Sequence, residues 1–198
     1  MNIIERIDIL NKSLKKRILV LDGAMGTMIQ SYKLNEADFR GNKFENWPND
    51  LKGNNDVLSL TQPTIISEIH DKYLQSGADI IITNSFNSNR ISQSDYGLEE
   101  FTYDLNFNAA KIARDSADNW SKKTPNKTRF VAGSLGPTNR TASISPKVDD
   151  PAFRNTSFEE LRKVYKESAL GLLDGGVDIL LLETIFDTLN AKAGLSAL

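Results

Sequence analysis

Two acids in this chain sit directly after apolar runs, where a buried strand would release them into a binding site. Asp22 follows Ile18-Leu19-Val20-Leu21, and Glu183 follows Ile179-Leu180-Leu181-Leu182. Two carboxylates at one mouth can hold an ammonium group through charge-assisted hydrogen bonds. Gly23 and Gly26 let the backbone approach a ligand closely, and N–H groups there can bind a carboxylate. An amino acid carries both charges. Taken singly, Asp22 could equally cap the following turn, and Glu183 could pair with a nearby lysine or arginine. Asn84 and Ser85 close a third run, Ile80-Ile81-Ile82, and could meet a polar ligand or shape the turn. Asn139 and Arg140 follow the rigid Gly136-Pro137-Thr138 turn and could reach the site or remain solvated. His70, the one histidine, lies mid-helix beside Ile69 and reads as structural. No Ser-His-Asp set, phosphate loop or internal metal cluster is apparent.

The elements that must position these residues follow from hydrophobic pattern. Runs apolar at successive positions suit strands buried on both faces, as in a parallel sheet covered by helices. Phe130-Val131-Ala132 is a fourth such run, and Val57-Leu58-Ser59-Leu60 a weaker one. A helix opens at Thr61-Gln62-Pro63, with Ile65, Ile66, Ile69 and Tyr73 as its buried stripe. A second covers residues 99–119. A third follows a capping box at Ser157-Phe158-Glu159-Glu160. A fourth begins near Asp187. Gly77-Ala78-Asp79 and Gly176-Val177-Asp178 echo each other as quick entries from helix into strand.

The count is five βα units in strand-then-helix order, which favours parallel pairing by right-handed crossovers. Long strand-to-helix links (residues 23–55, 85–98 and 136–156) cluster on the face that carries Asp22 and Glu183. That is the layout of a (βα)8 TIM-barrel enzyme, with an open doubly wound sheet as the alternative. By alternation Ile18, Val20 and Asp22 share a side. With Val20 directed into the barrel, Asp22 stands at its mouth. Residues 1–16 read as an N-terminal helix packing on the barrel, and 17–198 as an incomplete barrel domain, a truncated piece.

Composition narrows the class. The chain has 198 residues, a net charge of −2 and no cysteine. The charge gives no electrostatic drive toward nucleic acid or an anionic membrane. No apolar run approaches the roughly 20 residues that span a bilayer. Without cysteine there is no disulfide and no thiolate metal site within these residues. Glu5 and Asp8 interrupt any signal-peptide core, which points to the cytoplasm.

Five blocks carry a family resemblance: Leu21-Asp22-Gly23-Ala24-Met25-Gly26-Thr27-Met28-Ile29-Gln30, Asn35-Glu36-Ala37-Asp38-Phe39-Arg40-Gly41, Lys52-Gly53-Asn54-Asn55-Asp56, Leu135-Gly136-Pro137-Thr138-Asn139-Arg140-Thr141-Ala142-Ser143-Ile144-Ser145-Pro146, and Glu183-Thr184-Ile185-Phe186-Asp187-Thr188-Leu189-Asn190-Ala191-Lys192. From about Arg17 onward the chain closely resembles the N-terminal homocysteine-binding module of cobalamin-dependent methionine synthase, a (βα)8 barrel. The resemblance implies methyl transfer from methylcobalamin, ultimately from methyltetrahydrofolate, to the zinc-activated thiol of homocysteine. It further implies that Asp22 and Glu183 hold the substrate amino group, that backbone at Gly23, Ala24 and Met25 meets its carboxylate, and that Asn84 lines the pocket.

The family's zinc ligands are three cysteines on the last barrel strands, expected beyond Leu198. The cobalamin and folate modules would likewise be partners within the same polypeptide. This segment would then hold neither zinc nor cobalamin alone and would be inactive by itself. Related readings are a stand-alone methyltransferase using betaine or S-methylmethionine, a barrel glycosidase with Asp22 and Glu183 as its acid pair, and a non-catalytic binder. The glycosidase lacks an evident aromatic platform, because Trp47 is the only tryptophan in these loops.

Overall fold

The structure, a computed structural model, describes residues 1–198. Helices α1 (Ile3–Leu14), α2 (Met25–Gln30), α3 (Glu36–Arg40), α4 (Leu58–Thr61) and α5 (Pro63–Gln75) precede strand β1 (Ile80–Ile82). Then come α6 (Arg90–Gln93), α7 (Thr102–Lys123), β2 (Phe130–Leu135), α8 (Phe158–Asp174), β3 (Ile179–Leu182) and α9 (Thr188–Ala197). The strands pair in parallel in the order β1-β2-β3, with Ile80 level with Phe130 and Ala132 level with Ile179.

One face of this sheet buries Ile81, Val131 and Leu135 against Leu74 of α5, Ala110 and Ala113 of α7, Leu161 and Leu172 of α8, and Ala193 of α9. Successive helices on a single face wind like a barrel wall, whereas a doubly wound sheet carries helices on both faces. On the opposite face Ile80, Phe130 and Ala132 meet Leu10 of α1. The N-terminal helix therefore covers the concave side.

The echoed Asp79 and Asp178 perform one structural task twice. The Asp79 carboxylate takes the Val20 N–H at 3.0 Å and both Arg17 guanidinium nitrogens at 2.7 and 2.8 Å, with Lys127 at 3.3 Å. Asp178 takes the Val131 N–H at 2.9 Å, Arg114 at 2.7 Å and Arg6 of α1 at 2.5 Å. Each acid thus ties the start of its own strand to the preceding strand and to two cations. These contacts hold Asp79 ionised far into acid.

Several expectations are corrected. Val57-Leu58-Ser59-Leu60 is not a strand: a 3-10 turn at Asn55–Val57 runs into α4. Val57 and Leu58 are fully buried among Phe39, Leu51 and Ile66, and that packing overrides the β tendency of the run. Ile18–Leu21 contributes a single bridge, Leu21 to Ile80, with the Val20 carbonyl accepting from the N–H groups of Asp79 and Ile80. Counting that segment, four strand positions are present and not five.

The same register reverses the expected parity. Leu21 is level with Ile80, so Leu19 packs inside while Ile18 and Val20 turn to solvent at 88% and 56% exposure. The link over residues 23–55 is not structureless either. It holds α2 and α3, the latter started by a capping box from Asn35 and Asp38. At Ser157 only half of the expected box forms, because Glu160 accepts from Thr156 instead. The helix expected over 99–119 begins as a 3-10 turn and runs on to Lys123.

Candidate functional site

The carboxyl ends of the strands open into a cleft of about 580 Å3, within the usual range for small-ligand pockets. It is lined by Gly23, Ala24 and Met25 before and in α2, by Asn54, Asn55 and Asp56, by Ile82 at the end of β1 and residues 83–87 after it, and by Ser134, Asn139 and Glu183. Asp22 is not itself among the lining residues; it immediately precedes Gly23 and lies within range of the Glu183 charge. The structure thus brings together Asp22, Gly23, Ala24, Met25, Asn84 and Glu183 from both ends of the chain.

Asp22 reaches the mouth because its segment turns there. Its N–H donates to the Ile80 carbonyl, and its Oδ2 accepts the Ile82 N–H at 2.9 Å. Asp22 does not cap the following turn: its bonded oxygen serves β1, and α2 begins after Ala24 with no side-chain cap. Its Oδ1 is buried and has no partner. Burial pushes the Asp22 carboxyl up to about 7, and the nearby Glu183 charge pushes in the same direction.

Glu183 leaves β3 on the same face as Ile179 and Leu181, as alternation predicts. It pairs with no lysine or arginine; the Ser134 hydroxyl donates to its Oε1 at 2.8 Å. Thr184 follows at φ +55, an uncommon backbone state for a β-branched residue. Glu183 lines the cleft and Asp22 lies within range of its charge, with one Asp22 oxygen buried and partnerless; a cationic group between them would satisfy both.

Asn84 lines the cleft while its amide donates to the Asn55 carbonyl at 2.8 Å and to the Ser59 hydroxyl at 3.3 Å. Asn139 also borders the cleft, held by Asp95 at 2.8 Å. Arg140 does not reach the cleft; it lies 3.4 Å from Glu160. Gly136 is required, since a Cβ there would lie 2.2 Å from the Phe86 carbonyl oxygen. His70 is fully buried with neither ring nitrogen bonded, and burial drives it down to about 4, so it stays neutral.

Several residues that shape the site were not singled out from sequence. Ser134 orients Glu183. Asp187 and Asn190 organise the loop over residues 136–156: Ser143 N–H donates to Asp187 and Ala142 N–H to Asn190, both at 2.9 Å. The Asn190 amide donates in turn to the Arg140 carbonyl at 2.8 Å. Asp56 and Gln93 anchor the loop after β1. Their one sequence signal was membership of the Lys52–Asp56 and Glu183–Lys192 blocks for Asp56, Asp187 and Asn190; Ser134 and Gln93 had none.

A helix-backed parallel sheet with an acid-lined cleft at its strand ends defines the class: an α/β ligand-binding or enzyme domain of barrel-wall type. The chain belongs to the homocysteine S-methyltransferase family, whose model matches residues 19–198.

Among solved structures it is similar to the homocysteine methyltransferase MmuM from Escherichia coli. The metallated form is 25% identical with a TM-score of 0.72, over 95% of this chain and 61% of that one. The oxidised form is 24% identical with a TM-score of 0.70, over 93% and 59%. This second likeness speaks to the fold alone. The chain therefore spans about 61% of the solved structure it matches.

The residues present do not fit the zinc that the family resemblance implies. The sequence has no cysteine, and nowhere do three His, Asp or Glu side chains converge. No helix is long and apolar enough to cross a membrane.

Proposed function

We propose that this chain forms the amino-acid-binding wall of a (βα)8 barrel that methylates homocysteine to methionine. The polypeptide would be of the methionine synthase type, cytoplasmic, with residues 1–16 as a helix covering the barrel floor and 17–198 as the barrel segment. The methyl group would come from methylcobalamin, recharged from methyltetrahydrofolate by other modules of the same polypeptide. The single observation that carries the reading is the neighbouring carboxyls of Asp22 and Glu183, with one Asp22 oxygen buried and unpartnered, in a chain of the homocysteine S-methyltransferase family.

The division of labour follows from the geometry. The substrate ammonium sits between the two acids and accompanies ionisation of Asp22, because an adjacent cation favours the charged carboxylate. The Ile82 N–H and the Ser134 hydroxyl hold the two acids in place. The substrate carboxylate meets the backbone N–H groups at Gly23, Ala24 and Met25, where the chain enters α2 and first-turn N–H groups lack intrahelical partners. Asn84 closes the side wall. The thiol is thereby directed away from the acids. A free thiol has a pKa of about 8.5 and reacts as the thiolate. Its activation would be supplied by zinc-binding cysteines, which are not found among these residues.

A second reading, a stand-alone enzyme using S-methylmethionine or betaine, is favoured by the likeness to the Escherichia coli homocysteine methyltransferase. Calorimetry with homocysteine and with 4-mercaptobutanoate, which lacks the amine, tests the binding role in the whole polypeptide. Homocysteine should bind at least about tenfold more tightly, the worth of one charge-assisted pair. Equal affinity would refute the role of the acids. Assaying methionine formation with each methyl donor separates the two enzyme types.

A further inference from the structure

Asp56 is 4% exposed and faces neutral donors with no cation in the pair. Its Oδ1 alone accepts the Asn87 N–H at 2.9 Å and the Ser88 hydroxyl at 2.9 Å. Its neighbours grip the same loop. The Asn55 carbonyl accepts from the Asn84 amide at 2.8 Å. The Asn54 amide donates to Gln93 Oε1 at 2.8 Å, and Gln93 donates to the Asn87 carbonyl at 3.1 Å. Three consecutive residues thus hold residues 84–93, the segment that carries Asn84, Phe86 and Asn87 along the cleft. The loop has no strand partner over this stretch; these side-chain bonds, together with those from Asn106 and Ser168 to the Ser88 carbonyl at 2.6 and 3.0 Å, set its course. A buried carboxylate costs more than a buried amide, and stability alone would not call for one here.

We infer that Asp56 is a positioning residue for the substrate: although it borders the cleft, its carboxylate acts by fixing the loop wall through Asn87 and Ser88 and not by bonding homocysteine. This rests on the cleft being the homocysteine site. The test is homocysteine affinity by calorimetry in the whole polypeptide, at a temperature where circular dichroism shows each variant folded.

Asp56→Ala should raise Kd about tenfold, the loss expected for hydrogen bonds to a charged acceptor. Asp56→Asn keeps an oxygen for both donors and should recover most of that loss. Asp56→Ala within about twofold of the unaltered protein, or Asp56→Asn as weak as Asp56→Ala, overturns the inference. If Asp56→Ala does not fold, Ser88→Ala decides: about threefold weaker binding supports the inference, and unchanged binding overturns it. Asp22→Ala separates the two claims. Lost binding in Asp22→Ala beside a silent Asp56→Ala overturns the positioning role alone, whereas a silent Asp22→Ala overturns the reading of the cleft.

Discussion

Burial gives Asp22 an affinity for protons that an exposed aspartate lacks, and two predictions follow from its value of about 7. An ammonium ligand needs the ionised carboxylate. Homocysteine affinity should therefore hold from pH 8.5 to about 7 and then fall toward about tenfold per pH unit. Calorimetry across pH 5.5–8.5 checks this, and a flat profile would oppose it. The second prediction concerns stability. The folded pKa lies above the unfolded value, so the unfolded chain ionises first. Stability drops as pH rises from about 4 to about 7 and stays lower above that range. Asp22→Asn removes this penalty. It should raise the melting midpoint at pH 8 by several degrees, reflecting a few kcal/mol at most, with little gain at pH 4. Stability and binding should move in opposite directions in this variant.

At this scale Asp22 and Glu183 were legible because each ends an apolar run, and such runs mark strand ends. Ser134 and Gln93 were not. A polar anchor inside a strand or loop leaves no period in the sequence, and its partner lies 49 residues away for Ser134 and 39 for Gln93.

Among the elements, the twin aspartates at the strand starts carry the largest expected structural effects. Asp178 takes two arginines and a backbone N–H while wholly buried. Asp178→Ala should cost about 3–5 kcal/mol, because it leaves the buried Arg6 without a carboxylate and Arg114 with only the half-exposed Asp118. It should also free α1, since Arg6 is that helix's ionic tie. Hydrogen exchange would show faster exchange across Ile3–Leu14 than across α7. Uniform acceleration would mean instead that α1 docks mainly through Leu10. The Gly77-Ala78-Asp79 and Gly176-Val177-Asp178 echo was visible in the sequence, but its purpose needed the neighbouring strand.

Val57–Leu60 shows the opposite failure. Four residues with three aliphatics suit either a strand or a helical turn, and only burial against Phe39, Leu51 and Ile66 decides. The first strand's parity failed for a related reason. Register depends on the partner, and one bridge at Leu21 moves Val20 from the inside to the outside.

For the whole molecule, one face of the sheet is closed by helices and the other only in part by α1. Ile18 and Val20 lie open beside an unpaired edge, with Phe186 at 72% and Leu195 at 65% exposure. Each apolar side chain left in water forgoes about 1.5–3 kcal/mol, and an open edge strand invites pairing with another chain. The 198-residue chain by itself should self-associate. Light scattering coupled to size exclusion would reveal this, and a monodisperse monomer with a sharp, reversible melt would contradict it.

The overall winding was readable because strand-then-helix order, repeated with short returns, fixes handedness. The number of strands was not, since short apolar runs carry no length signature. The most direct measurement is a crystal structure of the whole polypeptide with homocysteine bound. The substrate nitrogen should lie about 3 Å from both the Asp22 and Glu183 carboxylates. A nitrogen seated elsewhere, with those acids facing water or each other, would contradict the account.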